Sequence, residues 1–586
     1  MQRPTPSTNS RLAFRVHGFD HLLEALAYAA RGETGYNFFD SRGRLCAVLP
    51  YRELAERARE LARRLAACGF PRGSRVALLA ETSPQFILAF FACQYAGYVP
   101  VPLPLAMHLG SRGAYVQRLA RMMAAARAVM AVGSLEGVAV LREAAVVAGV
   151  LEVVPVEALE AAAPAATDPR PLQASEPCYI QFSSGSTTEP RGVLVSHRAL
   201  MANTAAIARH GVRLQAGDRC VSWLPLYHDM GLVGCCLTPV FAQISVDYLA
   251  TRVFAGRPLL WLELLSRQQG TIAFSPTYGY ELAVRAAMRR GGGEELDLRC
   301  WRVAGVGGEM IRPEVLDRFA RLFAASGFDR RAFLPSYGLA EATLAVSFAP
   351  LGRGLVVDRV GRGPGFEREG LVVPAAEGEA CYRFVRCGVP LPEVQVEVRD
   401  ESGRPLPDRR VGRVFVRGPS VMDGYVGRPE LTRRVLDRDG WLDTGDLGYR
   451  TDGELVITGR AKDLIVHGGR NLWPQDIEWA VERIEGVRRA AAFGVEEEER
   501  ERVVVVAECR PSSACEALCA KIRGVVRREF GVEAEVLLVP LRTLAHTTSG
   551  KLSRATVRED YRRGRLQERA RALWCEAAGK GTAVPA

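Results

Sequence analysis

From about Tyr51 the apolar positions alternate between helical and strand spacing. Leu54, Ala58, Leu61 and Leu65 mark one face of a helix, and Arg75 to Ala80 reads as a buried strand. Ser83-Pro84 then opens an apolar helix that runs to Ala96. Further pairs follow: helix Tyr115 to Ala128 with strand Val129 to Val132, and helix Leu135 to Val147 with strand Leu151 to Val156. Ala161 to Pro171, rich in alanine and proline, reads as a surface linker. Beyond it the pattern predicts helix Ser196 to Arg209, strands Arg219 to Leu224 and Thr271 to Phe274, helix Tyr278 to Arg289, strand Trp301 to Val306 and helix Pro313 to Ala325. Repeated units of this kind predict an α/β fold with a large mixed or parallel sheet covered by helices on both faces.

After Pro350 the texture changes. Leu351 to Gly378 is rich in glycine, proline and charge, and short strands follow at Tyr382 to Arg386, Val394 to Arg399, Gly412 to Arg417 and Glu454 to Thr458. This predicts a β-rich subdomain over about 350–461. Past Lys462 the chain begins again with helix Pro474 to Ile484, strand Val503 to Ala507, helix Cys515 to Phe530 and strand Glu535 to Val539. The expected organisation is a large unit over 1–461, a joint at 462–463 and a small α+β unit over 464–586.

Composition narrows the class. The most apolar stretches, Phe86 to Ala106 and Leu232 to Ala250, are broken by Pro, Gln and Asp, so buried core is expected rather than a membrane span. No secretory leader is evident, and fourteen cysteines without a Cys-x-x-Cys pair fit reduced thiols in a cytoplasm. The net charge of +11 is dispersed among acidic residues, with no basic run interleaved with aromatics; nucleic acid is not expected as a partner. Of 77 basic residues only four, Lys462, Lys521, Lys551 and Lys580, are lysine. Where arginine serves almost every need for positive charge, each lysine marks a place for a compact ammonium.

Candidate chemistry gathers in a few stretches. Tyr179 to Phe182 feeds a hydroxyl- and glycine-rich turn, Ser183-Ser184-Gly185-Ser186-Thr187-Thr188-Glu189-Pro190-Arg191-Gly192, whose free backbone N–H groups and nearby cation suit a triphosphate. It lacks the Gly-Lys-Ser/Thr of a Walker loop. His228, in Leu224-Pro-Leu-Tyr-His-Asp-Met-Gly-Leu, is either a structural histidine or one that approaches an acyl carboxylate. Ser336-Tyr337-Gly338 is expected to follow a strand and open a helix, with Tyr337 facing a base and Glu341 offering a hard oxygen to magnesium. Asp446, in Asp443-Thr-Gly-Asp, reads either as a tight acidic turn or as an acceptor for two ribose hydroxyls. Arg460 and Lys462-Asp463 follow, and Lys551 sits on a late Thr/Ser/Gly loop where an ammonium can bridge a carboxylate and an α-phosphate.

Together these stretches resemble the superfamily of adenylate-forming enzymes, from about residue 20 to 565. The text at Leu224, at Leu334-Pro-Ser-Tyr-Gly-Leu-Ala-Glu-Ala-Thr-Leu and at Gly469-Arg-Asn-Leu-Trp-Pro-Gln-Asp-Ile-Glu is similar to that of the fatty acyl-AMP ligases. Those enzymes carry an extra segment that hinders the domain movement needed for coenzyme A; Leu355 to Gly388 occupies its place here. The resemblance implies the acyl-adenylate synthetase fold with a small mobile C-terminal domain. It further implies ATP and Mg2+, a fatty acid, and a separate phosphopantetheinylated acyl carrier protein as acceptor. Ser183, Ser184, Gly185, Ser186, Thr187 and Arg191 would hold phosphates, and Glu341 with Thr187 magnesium. Ser336, Tyr337 and Gly338 would border adenine, and Asp446 and Arg460 the ribose. Lys551 would bridge the reacting groups, His228 would lie by the acyl group, and Lys462-Asp463 would be the hinge. An acyl-CoA synthetase and a non-catalytic nucleotide-binding regulator are the alternatives. Arg191 stands where many relatives have lysine, Thr188-Glu189 where many have glycine, and Gly412-Arg413 where Gly-Glu is frequent.

Overall fold

The computed structural model describes residues 3–9, 12–105, 112–183, 190–290, 295–497, 500–511, 514–546 and 551–577. Its largest element is a nine-stranded sheet in the order Val389–Pro390, Ala345–Phe348, Phe333–Gly338, Val303–Val306, Ile272–Ser275, Arg219–Ser222, Ser245–Leu249, Gly35–Phe39 and Leu45–Pro50. Pairing is parallel from Phe333–Gly338 through Gly35–Phe39 and antiparallel at both edges. Central strands are covered on both faces, so even Asp247 is wholly buried. Its carboxylate is met there by Arg219 on the adjacent strand, with Nε 2.6 Å from Oδ2, and by Asn37 Nδ2 at 2.8 Å.

The expected single sheet is in fact divided. The early units build a separate four-stranded parallel sheet, Val99–Leu103, Arg75–Leu79, Met130–Gly133 and Glu152–Pro155, with its own apolar core. Against these sheets pack the amphipathic helix Tyr51–Ala67 and the largely apolar helix Pro84–Ala96. The latter begins as the sequence predicts: Ser83 Oγ accepts the Phe86 N–H at 3.3 Å, and Gly97 ends it at φ +73°. Among the described residues no helix is long and apolar enough to cross a membrane.

Two expectations fail locally. No helix opens after Ser336-Tyr337-Gly338; the strand Phe333–Gly338 passes through one 3-10 turn, Ala340–Ala342, and returns as the antiparallel strand Ala345–Phe348. The reversal is so tight that a Cβ at Gly338 would lie 1.8 Å from the Leu344 carbonyl oxygen, and Thr343 takes φ +67°. The helix expected to reach Arg209 instead widens into a π-turn at Ile207–Gly211, where Gly211 lies against the Phe348 ring.

The β-rich region contains a four-stranded antiparallel sheet, Gln395–Arg399, Gly412–Arg417, Leu442–Thr451 and Glu454–Arg460. The segment 355–388 adds the hairpin Val357–Gly361 with Cys381–Val385. Beyond Asp463, the strands Arg489–Glu497, Arg500–Cys509 and Ala534–Pro540 and the helices Pro474–Glu482 and Cys515–Phe530 enclose a core of their own that includes Ile477, Val505 and Ile522.

Candidate active site

The hairpin Pro177–Phe182 and Gly192–Ser196 carries the phosphate-loop stretch at its tip, and the Ser183 N–H donates to the Arg191 carbonyl at 3.1 Å. Ser184, Gly185, Ser186 and Thr187 lie outside the described residues. Ser183 and Arg191 line a cavity of about 320 Å³, and so do His228, Ser336, Tyr337, Gly338, Glu341, Arg460 and Lys551. Residues spread over more than 360 positions thus share one space. Asp446 lies on an adjoining cavity of about 280 Å³ that shares Tyr337, Arg460 and Lys551 with the first.

The polar end is tightly wired. Asp446 and Arg460 face each other across neighbouring antiparallel strands, with Nε 3.0 Å from Oδ1. The Tyr337 hydroxyl donates to Asp446 Oδ2 at 2.7 Å. Burial, then the Asp446 charge, drives the Tyr337 phenol well above its ordinary value, so it stays a donor. Asp446 is only 5% exposed, which turns a stretch that also read as an acidic surface turn into an inward-facing anchor.

Glu341 has a partner that sequence reasoning missed. The Tyr425 hydroxyl donates to its Oε1 at 2.8 Å, and burial raises the carboxyl above the usual range. Tyr425 lies 84 residues downstream, and nothing local in Gly424-Tyr425 announces it. Among the described residues no group of three or more acidic, histidine or cysteine side chains could hold a metal. One carboxylate oriented by a phenol fits magnesium, which is commonly held by one or two carboxylates together with substrate phosphates.

His228 donates or shares a proton through Nδ1 with Asp229 Oδ1, 2.6 Å away, and the Met230 N–H meets the same oxygen at 2.7 Å. This contact fixes the ring through Nδ1. Burial works to raise the Asp229 carboxyl, but His228 and Lys551 outweigh it and hold it below its usual value. Lys551 shows the reverse: burial lowers its ammonium, while Asp229 and Glu309 oppose that. Asp229 was legible only as the neighbour of His228.

From this polar end the cavity continues as an apolar passage. Ile207, Val212, Cys220, Ile272, Phe274 and Phe348 line it, between the nine-stranded sheet and the π-helical segments Ile207–Gly211 and Met230–Leu237.

A family model described as "AMP-binding enzyme" matches residues 45–426. The chain belongs to this family of adenylate-forming enzymes. Among curated AMP-binding relatives, a Caulobacter vibrioides protein provisionally named an acyl-CoA synthetase is 48% identical, over 96% of this chain and 98% of its own. The medium-chain-fatty-acid–[acyl-carrier-protein] ligase JamA of Moorena producens is 31% identical, over 94% and 96% respectively. A solved structure from a study of fatty acyl-adenylate ligases of E. coli and L. pneumophila superposes with a TM-score of 0.90 at 43% identity, covering 94% of this chain and 99% of that one. The adenylate-forming fold expected from the sequence is therefore the fold observed, and the protein is a ligase of this family.

Proposed function

We infer that the protein activates a fatty acid as its acyl-adenylate and then passes the acyl group to the phosphopantetheine thiol of a separate acyl carrier protein. The observation that carries this reading is the single cavity in which an apolar passage ends at Lys551, His228, Glu341 and Arg460. In the first step a carboxylate oxygen attacks the α-phosphorus of ATP, the α–β P–O bond breaks and pyrophosphate leaves. Positioning and charge neutralisation dominate such a step. Ser183 to Thr187 and Arg191 hold the phosphates. Ser336, Tyr337 and Gly338 border adenine, while Asp446 and Arg460 take the ribose. Lys551 bridges carboxylate and α-phosphate, and His228 lies by the acyl carbonyl. Glu341 and Thr187 would hold magnesium, which supplies positive charge to the phosphates. In the second step a thiol sulfur attacks the acyl carbon and AMP leaves, after the small unit turns about Lys462-Asp463.

Support for the carrier reading comes from JamA and from the segment 355–388, which is fastened to the chain beyond the hinge. Phe366 stacks on Trp473 at 4.6 Å, Arg470 Nε bonds Glu367 Oε2 at 2.7 Å, and Arg362 donates to the Glu529 carbonyl at 2.7 Å. An acyl-CoA synthetase is the second reading, favoured by the name of the Caulobacter relative. Incubation with ATP, a panel of fatty acids and either coenzyme A or a phosphopantetheinylated carrier separates them. Acyl-carrier product is expected; efficient acyl-CoA formation would sink the carrier reading.

A further inference from the structure

Glu309 is absent from the roles above, yet it stands against Lys551. It follows the strand Val303–Val306 through Gly307 and Gly308. Gly308 has φ +77°, and a methyl group built on it would lie 3.7 Å from Lys551 Nζ, so the ammonium comes down onto this backbone. The Glu309 side chain is fixed from the other side: its Oε1 accepts the Tyr278 N–H at 2.8 Å, in the first turn of the helix Thr277–Arg290. Burial raises its carboxyl above the usual range, and the Tyr278 N–H and two cations from beyond the hinge, Lys551 and Arg489, oppose that rise without cancelling it. Arg489 is itself held, over the Tyr278 ring at 4.7 Å and 3.8 Å from Glu281 Oε2. Asp229, bonded to His228 and the Met230 N–H, pulls on the same ammonium. Among the described residues, the charged groups that act most strongly on Lys551 are the anions Asp229, Glu309 and Asp446 and the cation Arg460.

An ammonium taken out of water without a counter-ion gives up its proton. Lysine is also a point charge on a four-carbon stem, with no fork to fix its direction. Both problems are acute for Lys551, which must be charged and in place before the carboxylate and α-phosphate meet. We propose that Glu309, with Asp229, is a positioning residue for Lys551: it seats the ammonium against Gly308 and keeps it charged while the small unit is closed. The inference rests on the adenylation step alone and is independent of the acceptor.

The test compares the full-length parent with Glu309→Gln and Glu309→Asp, following pyrophosphate release across pH with hydroxylamine present to trap acyl-adenylate. Removing the negative neighbour lowers the pH at which Lys551 loses its proton, so in Glu309→Gln the alkaline limb of kcat moves down by roughly one unit. At neutral pH kcat falls roughly 10- to 100-fold through loss of placement. Glu309→Asp keeps the charge with a shorter reach: the limb stays where the parent has it and the rate drops less. An unmoved limb in Glu309→Gln overturns the proposal at any rate. Should that variant fold poorly by thermal melting, Glu309→Asp decides, because a displaced limb with the charge retained overturns the proposal and an unmoved limb with slowed adenylation supports it. The parent runs in the same assay, so failure of the adenylation reading would silence all three proteins.

Discussion

Asp446, Glu341 and His228 are each held by side chains that fix the orientation of their polar atoms. Tyr337 and Arg460 take one Asp446 oxygen each, Tyr425 takes Glu341 Oε1, and Asp229 takes His228 Nδ1. Lys551→Ala is expected to lower adenylate formation by roughly 10²-fold or more, since it removes a charge aimed at the reacting oxygens. Pyrophosphate exchange measures this, and undiminished exchange would refute the assignment. Tyr425→Phe removes one hydrogen bond and no bulk, so it is expected to raise the magnesium concentration needed for half-maximal rate with little change in melting temperature. At this scale the functional types were legible because carboxylate, ammonium and hydroxyl in a given order declare their chemistry. Tyr425 and Glu309 were not, since their importance comes from contact with residues far away in the chain.

Among the elements, the two π-helical segments contribute Ile207, Met230 and Gly234 to the lining of the cavity. A Cβ at Gly234 would already lie 3.2 Å from the Leu344 side chain. Gly234→Leu is therefore expected to shift preference toward shorter acids, read from relative kcat/KM over a chain-length series; an unchanged optimum would mean that the alkyl chain runs elsewhere. Helices with one apolar stripe, such as Tyr51–Ala67, were readable from spacing alone. The fold-back after Gly338 was not, because its signal is the nearby Leu344 carbonyl and no periodicity records it.

For the whole molecule, the joint between 355–388 and the chain beyond Asp463 combines rings and charge. Phe366, Tyr382, Phe384 and Trp473 form one cluster, and Arg362 lies 5.0 Å over Tyr382 and 4.9 Å over Phe530. Phe366→Ala with Arg362→Ala is expected to loosen this joint and raise thioester formation with coenzyme A relative to the parent, as measured by acyl-CoA yield. Asp476 lies near the same joint, its Oδ2 buried without a hydrogen-bond partner. Burial pushes its carboxyl up to about 7, against the pull of Arg362. Its unfolded value is near 4. The folded state therefore holds a proton that the unfolded chain has lost between these values, so this group's contribution to stability declines as pH rises from about 4 and levels off above 7. Asp476→Asn should flatten that decline in melting temperature; an identical pH profile would refute it. By itself the sequence determined the α/β and β-rich textures and the chemical types of the charged side chains, because these follow from local periodicity and residue chemistry. Only the tertiary structure decided that the strands divide into separate sheets, that Asp446 turns inward, and that the Lys551 ammonium comes down beside Gly308. Those outcomes depend on packing between segments hundreds of residues apart, which no local pattern encodes.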